Sequence, residues 1–485
     1  MLLNRLPGLG DKVLILMIIV SVIVACQPVI KDPEDTQTQV QVSPSFTPTS
    51  IDTKLPILPT PTPTSTRSPY LEIESSQLQG ASITLMHPWL SGTAKALQGQ
   101  VDEFNKTNAW GIQVLVESAG GIDDLMVTLN QRLLDEQMPD LAVMYPYQAR
   151  QLDGDYLWLD LSPYIKDSEW GLSPELEVNI NDVYLQSNQL DSTMIGFPAS
   201  ISAPVLFYNS SWAQELGFDA IPMTPESLEE QVCAAAQAVL QDDNLENDGT
   251  GGLLIDRSPL AALSWFYAFG GQLSGEDGIP SFNNQAGEES FGFVKSLYDR
   301  NCAWIGRQSE PYDYFATRFA LVYAGSLEDM ILQSEAFTRA EVTDEWIMLP
   351  YPSLDGKGTL VVDGMSYIVT VNKPEVQLAA WLFIRWMTSE IQQQVFTQAS
   401  GTWPVNQMAM ENMQTYRQDH PQWGDVFDNQ TNFYTLPTYA NWVVDKMVLE
   451  DAFTRYLALD SSTLSIVLEM LDATIKELSE MGFNE

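Results

Sequence analysis

The sequence predicts an α/β protein divided into two lobes. Three observations lead there. From residue 83 onward, short apolar strands alternate with helices of three- and four-residue apolar period, the pattern of parallel pairing. The part beyond residue 70 is about 415 residues long, more than one hydrophobic core usually supports. The chain is 45% hydrophobic and carries 13 Trp, enough to fill a large interior.

The chain opens with positive charge at Arg5 and Lys12, followed by an unbroken apolar run from Val13 to Ala25. That run is too short for a membrane-spanning helix, which needs about 20 residues. It fits the apolar region of a signal peptide. The run ends in Ile23-Val24-Ala25-Cys26, which resembles a bacterial lipobox, whose cysteine is acylated and becomes the first mature residue. Residues 1–25 are therefore expected to be a lipoprotein signal peptide, and Cys26 the lipid attachment point. The alternatives are an ordinary signal peptide with a chance cysteine, or an uncleaved anchor helix. In each case the body is exported. Residues 26–79 are expected to form a stalk, because they are crowded with Pro, Thr and Ser (SPSFTPTS, LPTPTPTSTRSP). Such a segment buries too little surface to offset its ordering entropy, and its prolines hold it extended.

Charge excludes several partners. There are 64 acidic against 23 basic residues, a net charge of −41. That field repels nucleic acid and polyanions. It weakly favours neutral or cationic ligands. Apart from Cys26, the cysteines are Cys233 and Cys302. In an exported domain two cysteines suggest one disulfide, with two buried thiols as the alternative.

The elements run in order along the chain. Ile83–Met86 reads as a strand, broken by His87-Pro88-Trp89. From Thr93 to Asn108 the spacing of Ala94, Leu97, Val101 and Phe104 predicts an amphipathic helix. Gly111–Val116 reads as a strand, Leu125–Leu134 as a helix and Asp140–Met144 as a buried strand. Later come a strand at Val205–Tyr208, helices at Glu226–Leu240 and Leu260–Phe269, and strands at Phe319–Tyr323 and Leu360–Val362. Leu378–Met387 reads as a buried helix. Ser462–Met481, with Leu464, Val467, Leu468, Leu471, Ile475 and Leu478 on one stripe, reads as an amphipathic closing helix.

In an open parallel sheet, ligands bind beyond the carboxyl ends of the strands. His87-Pro88-Trp89, Ser118-Ala119-Gly120-Gly121 and Tyr145-Pro146-Tyr147 come directly after the first three strands and so converge on one edge. The competing reading is that these aromatics simply cover the sheet edge.

The order of segments resembles the extracellular solute-binding proteins of ABC importers, in the carbohydrate-binding family that includes maltose-binding protein. The resemblance rests on ITLMHPW, DEFNKTN followed by GIQVLV, MPDLAVM, FPASISAPVLFYNSSWAQELGF, the NDGTGG turn, LVYAGSLEDM, LPYP, and AAWLFIRWMTSEIQQQVF with GTWPVN after it. It spans nearly all of residues 80–410. It implies a two-lobed periplasmic-binding-protein-like fold, each lobe a mostly parallel sheet flanked by helices, with a hinge between them. Lobe 1 would comprise 80–198 and 366–402, and lobe 2 would comprise 199–365 and 403–485. The resemblance also implies a monomer that hands its ligand to permease subunits, with no cofactor.

Carbohydrate binding needs aromatic faces for sugar rings and a few planar polar groups for hydroxyls. The candidates are His87 and Trp89, Tyr145 and Tyr147, Ser200 and Tyr208 near the hinge, Trp265, Ser326, Asp363, and Trp403 at the final crossing. A lone His after a strand is more often structural than a ligand contact, and a helical Trp between apolar neighbours is more often packing.

Other chemistry is poorly supported. The sequence holds no Walker A, HExxH, CxxC or G-x-S-x-G motif. A glycoside hydrolase needs only two carboxylates and stays as an alternative. So does a ligand-sensing lipoprotein of the same fold. Asn244–Gly249 faintly resembles a calcium loop but lacks its closing Glu, Ile255 standing there, so a solvated turn is expected and no metal.

Overall fold

The computed structural model describes residues 71–481, apart from 153–156, 179, 181, 191–192, 274–278, 308–310, 429–430, 438–440 and 459–463. The signal peptide, Cys26 and the stalk as far as residue 70 lie outside the described residues. In chain order the strands are β1 (Ser82–His87), β2 (Gln113–Ser118), β3 (Leu141–Met144), β4 (Gln189–Leu190), β5 (Thr193–Met194), β6 (Phe197–Pro198) and β7 (Pro204–Tyr208). They continue as β8 (Gly251–Leu254), β9 (Ala303–Trp304), β10 (Ala320–Ser326), β11 (Ile347–Leu349), β12 (Thr359–Val362), β13 (Ser366–Val369) and β14 (Asn432–Thr435).

Two five-stranded sheets organise the molecule, ordered β2-β1-β3-β13-β6 and β11-β7-β10-β8-β9. Each is mixed rather than mostly parallel. β1 pairs in parallel with β2 and β3, but β13 runs antiparallel to both β3 and β6. In the second sheet β8 is parallel to β10 and β9, whereas β7 is antiparallel to β10 and β11. Parallel pairing requires a crossover connection, commonly a helix. β6 leads onward to the second sheet and β13 returns from it, so neither strand is set by such a crossover.

The first lobe packs around Trp381, which is fully buried in the helix Pro374–Met387. Its ring meets Phe197 edge-on at 5.4 Å, and its indole N–H donates to the Trp170 carbonyl at 2.8 Å. Leu71, Ile73 and Leu78 are buried in the same cluster. Residues 71–78, expected in the stalk, thus already contribute three apolar side chains to the first core. The second lobe buries the helix Pro259–Ala268 on all sides, including Trp265 and Phe266. Cys233, in the helix Pro225–Gln241, is bonded to Cys302 with the Cα atoms 4.4 Å apart. Gly252 lets the chain come this close, since a Cβ there would lie 1.9 Å from the Cys302 carbonyl oxygen.

Three chain segments pass between the lobes side by side. The Ala199 N–H donates to the Met365 carbonyl at 3.0 Å. Ile201 and Trp403 exchange backbone hydrogen bonds of 3.0 and 2.8 Å, and Ser202 and Asp363 exchange a pair of 2.8 and 2.9 Å.

Candidate functional site

The second sheet carries a cavity of about 650 Å³ at its carboxyl edge. Its wall is built from residues at the strand ends and just past them: Asp256 and Ser258 after β8, Ile305 after β9, Ser326 at the end of β10, and Asp363 after β12. This is where an open parallel arrangement receives ligands. Four carboxylates, Asp256, Asp329, Asp363 and Glu450, face one guanidinium, Arg257. Two of the acids are already held in place. The Tyr312 hydroxyl donates to Asp329 Oδ1 at 2.7 Å and the Ser326 N–H to Asp329 Oδ2 at 2.8 Å. The Ser258 N–H and hydroxyl donate to the two oxygens of Asp256 at 2.8 and 2.6 Å. Gly325 makes room for this, because a Cβ there would stand 2.8 Å from Asp329 Oδ2.

The first lobe contributes from the carboxyl end of β3. The rings of Tyr145 and Tyr147 stack at 5.3 Å and 10°. They pack against the core of the second lobe rather than that of the first. Together with Ser187, Leu436 and Asp363 they enclose a second cavity of about 20 Å³, room for about one water. Asp363 thus lines both cavities, one within the second lobe and one between the lobes.

Burial shapes the electrostatics. The Asp363 carboxyl is raised from an ordinary 3.8 to about 8, chiefly by desolvation, then by the neighbouring Glu328, with Lys446 opposing. Glu328 is raised by desolvation, against a hydrogen bond from the Ser202 hydroxyl. Asp256 is also raised by desolvation. Desolvation keeps the Tyr145 and Tyr147 phenols protonated by pushing their pKa values up, with Asp363 adding to both. A neutral carboxyl both donates and accepts, whereas a carboxylate only accepts. The site therefore offers hydroxyl partners of both kinds next to two stacked rings.

Of the residues expected at the site, Tyr145, Tyr147 and Asp363 meet at the small cavity, and Ser326 and Asp363 at the large one. His87 is 2% exposed at the end of β1, its centroid 5.8 Å from that of Trp89, and burial lowers its pKa. Trp89 packs on Phe396 at 4.7 Å. Both stand at the edge where β1 ends but line neither cavity. Ser200 is buried in the first crossing. Three others lie in the packed interior and line neither cavity. Tyr208 is core, with its hydroxyl donating to Gln231 at 2.6 Å. Trp265 is core, edge-on to Tyr351 at 4.9 Å. Trp403 is fully buried, its backbone paired with Ile201.

Sequence reasoning missed Asp256, Asp329, Tyr312 and Lys446. The signal for Asp256 was its place just past a strand, hidden because Gly251-Gly252 reads as a turn. In the loop at 242–248, side-chain oxygens of Asp242 and Asn244 cap nearby backbone N–H groups. Among the described residues no group of three or more His, Cys, Asp and Glu side chains is placed to hold a metal ion. No helix among them is long and apolar enough to cross a membrane.

Residues 99–421 match the family described as bacterial extracellular solute-binding protein. The chain belongs to that family. No curated protein matches this solute-binding protein. Solved structures share its fold at low identity. The sugar-binding protein MalE from Xanthomonas citri aligns at 16% identity and TM-score 0.69, over 84% of this chain and 100% of that one. A cyclic alpha-maltosyl-1,6-maltose binding protein from Arthrobacter globiformis aligns at 16% identity and TM-score 0.68, over 82% and 99%. UgpB from Mycobacterium tuberculosis, solved with glycerophosphocholine, aligns at 15% identity and TM-score 0.67, over 82% and 99%. As a member of an extracellular family, this solute-binding protein works outside the cytoplasm.

Proposed function

We propose that this solute-binding protein is the lipid-anchored receptor of an ABC importer, capturing an oligosaccharide or polyol between its lobes and delivering it to a membrane permease. The observation that carries the reading is Asp363. It joins a polar, carboxylate-lined cavity of about 650 Å³ to a stacked tyrosine pair on the facing lobe. Rings beside fixed hydroxyl acceptors are what a sugar requires, and the volume lies in the ordinary range for a small-molecule site. The names of two neighbours, a sugar-binding protein and a maltosyl-maltose binding protein, support the same class. The neighbour solved with glycerophosphocholine represents another class. Four acidic side chains against one guanidinium leave little positive charge for a phosphodiester in this chain.

Thermal denaturation of the full chain tests this against neutral oligosaccharides, polyols, glycerophosphocholine and short peptides. A cognate sugar at a hundred times its Kd adds about 2.7 kcal/mol of stability. Stabilisation by the phosphodiester or a peptide, with no response to any sugar, would sink the assignment. The sugar should also be recovered intact, since cleavage would favour the hydrolase alternative. The anchor has its own test. Cys26→Ala should release the protein from membranes into the soluble fraction, and retention of the variant at wild-type level would refute lipid attachment at Cys26.

A further inference from the structure

Lys446 occupies an unusual position for a cation. It lies in the second lobe, near the start of the helix Trp442–Ala458, and it reaches a residue of the first lobe. Its ammonium donates to the Tyr147 hydroxyl at 3.2 Å and stands 4.8 Å from the centroid of the same ring. Tyr147 is 8% exposed and backed by Tyr145. Burial lowers the Lys446 pKa, and three acids oppose that lowering: Asp123 of the helix Ile122–Leu134, Glu450 one turn along its own helix, and Asp363 after β12. Asp123 belongs to the first lobe, Asp363 and Glu450 to the second. A positive charge near a helix N-terminus opposes the helix dipole, so the placement is not explained by the helix itself.

We propose that Lys446 and Tyr147 form a latch that holds the lobes together and sets the balance between open and closed forms. The latch goes beyond the proposed function, because it acts on lobe closure whichever solute is bound. Its parts are suited to the task. A cation on a ring face that also receives a hydrogen bond gains from partial desolvation. Asp123, on the first lobe, adds an attraction that holds only while the lobes touch. Opening exposes all of these groups to water, where the same contacts are weak.

Hydrogen exchange of the full, ligand-free chain reads the latch directly. The informative segments are 145–149 and 442–450, with β1 and β8 as internal controls. Lys446→Met removes the cation and keeps the aliphatic stem. It should speed exchange at both segments by about tenfold, the scale of one charge-assisted hydrogen bond with its cation–π contact, and leave β1 and β8 protected. Tyr147→Phe keeps the ring and loses the hydroxyl, so a smaller acceleration of about threefold is expected from the remaining ring contact. Lys446→Arg keeps the cation and should stay within about twofold of wild type. Unchanged exchange in Lys446→Met, or equal acceleration in Lys446→Met and Lys446→Arg, would overturn the latch. The measurement needs no sugar, so failure of the carbohydrate assignment leaves its outcome readable.

Discussion

Asp363→Asn should make the ligand-free protein more stable, and increasingly so as pH rises. The carboxyl has an ordinary pKa of 3.8 and is held at about 8 in the fold. The folded state therefore keeps a proton that the unfolded state has lost between those values. Stability falls with pH wherever the unfolded state binds fewer protons. The loss begins near pH 4 and is complete above about pH 8. A tenfold difference in proton affinity corresponds to about 1.4 kcal/mol, so the advantage of the Asn variant should grow by up to about 3 kcal/mol between pH 5 and pH 8. Opening of the cleft rehydrates the carboxylate and makes this an upper limit. Denaturant titrations of both proteins at the two pH values give the comparison. A difference that stays constant across that range would show that Asp363 titrates normally. The same substitution exchanges a carboxyl oxygen shared by both cavities for an amide NH2, so on the proposed function it should weaken solute capture while it stabilises the fold.

Reduction of the Cys233–Cys302 bond should destabilise the second lobe selectively. The bond spans 69 residues, a stretch that includes β8 and the helices Pro259–Ala268 and Gln285–Asp299. In the chain-entropy model a loop of that length contributes about 4 kcal/mol. A paired Cys233→Ser and Cys302→Ser variant avoids disulfide exchange and should reproduce the effect. Hydrogen exchange should then rise in β8, β9 and β10, with β1 and β3 unaffected. Equal loss of protection in both lobes would mean that they unfold as one unit, and unchanged stability would remove the bond from the fold's energetics.

The fold was legible where periodicity was strong. The helix at Ser91–Thr107 and the strands at Ser82–His87 and Pro204–Tyr208 all lie where apolar spacing put them. Some short strands were legible, as at Leu360–Val362, and others were not. β8 begins Gly251-Gly252, a pair that looks like a turn, yet both glycines are needed for close packing against Val239 and Cys302. The site was legible only in part. Tyr145, Tyr147 and Asp363 lie just past strand ends and do converge. Tyr208 also ends a strand, but Gln231, from a helix that begins 17 residues later, reaches its hydroxyl. Trp403 lies beside Ile201, about 200 residues away in sequence. Such partners are set by three-dimensional closure, and local pattern does not encode them. Lys446 had no signal at all, since one lysine in an acidic helix reads as solvated surface.

The laced crossings have a mechanical consequence. A single connecting strand would let one body swivel about the other in any direction. Here Ala199 is tied to Met365, Ile201 to Trp403 and Ser202 to Asp363, so the three segments are joined into a narrow ribbon. A ribbon resists shear along its length and torsion about its axis, and bends easily across its thin dimension. Hinges concentrate motion in a few such residues. On the proposed function such a ribbon would leave the lobes one soft degree of freedom, so solutes of different size would produce one kind of displacement for a permease to sense.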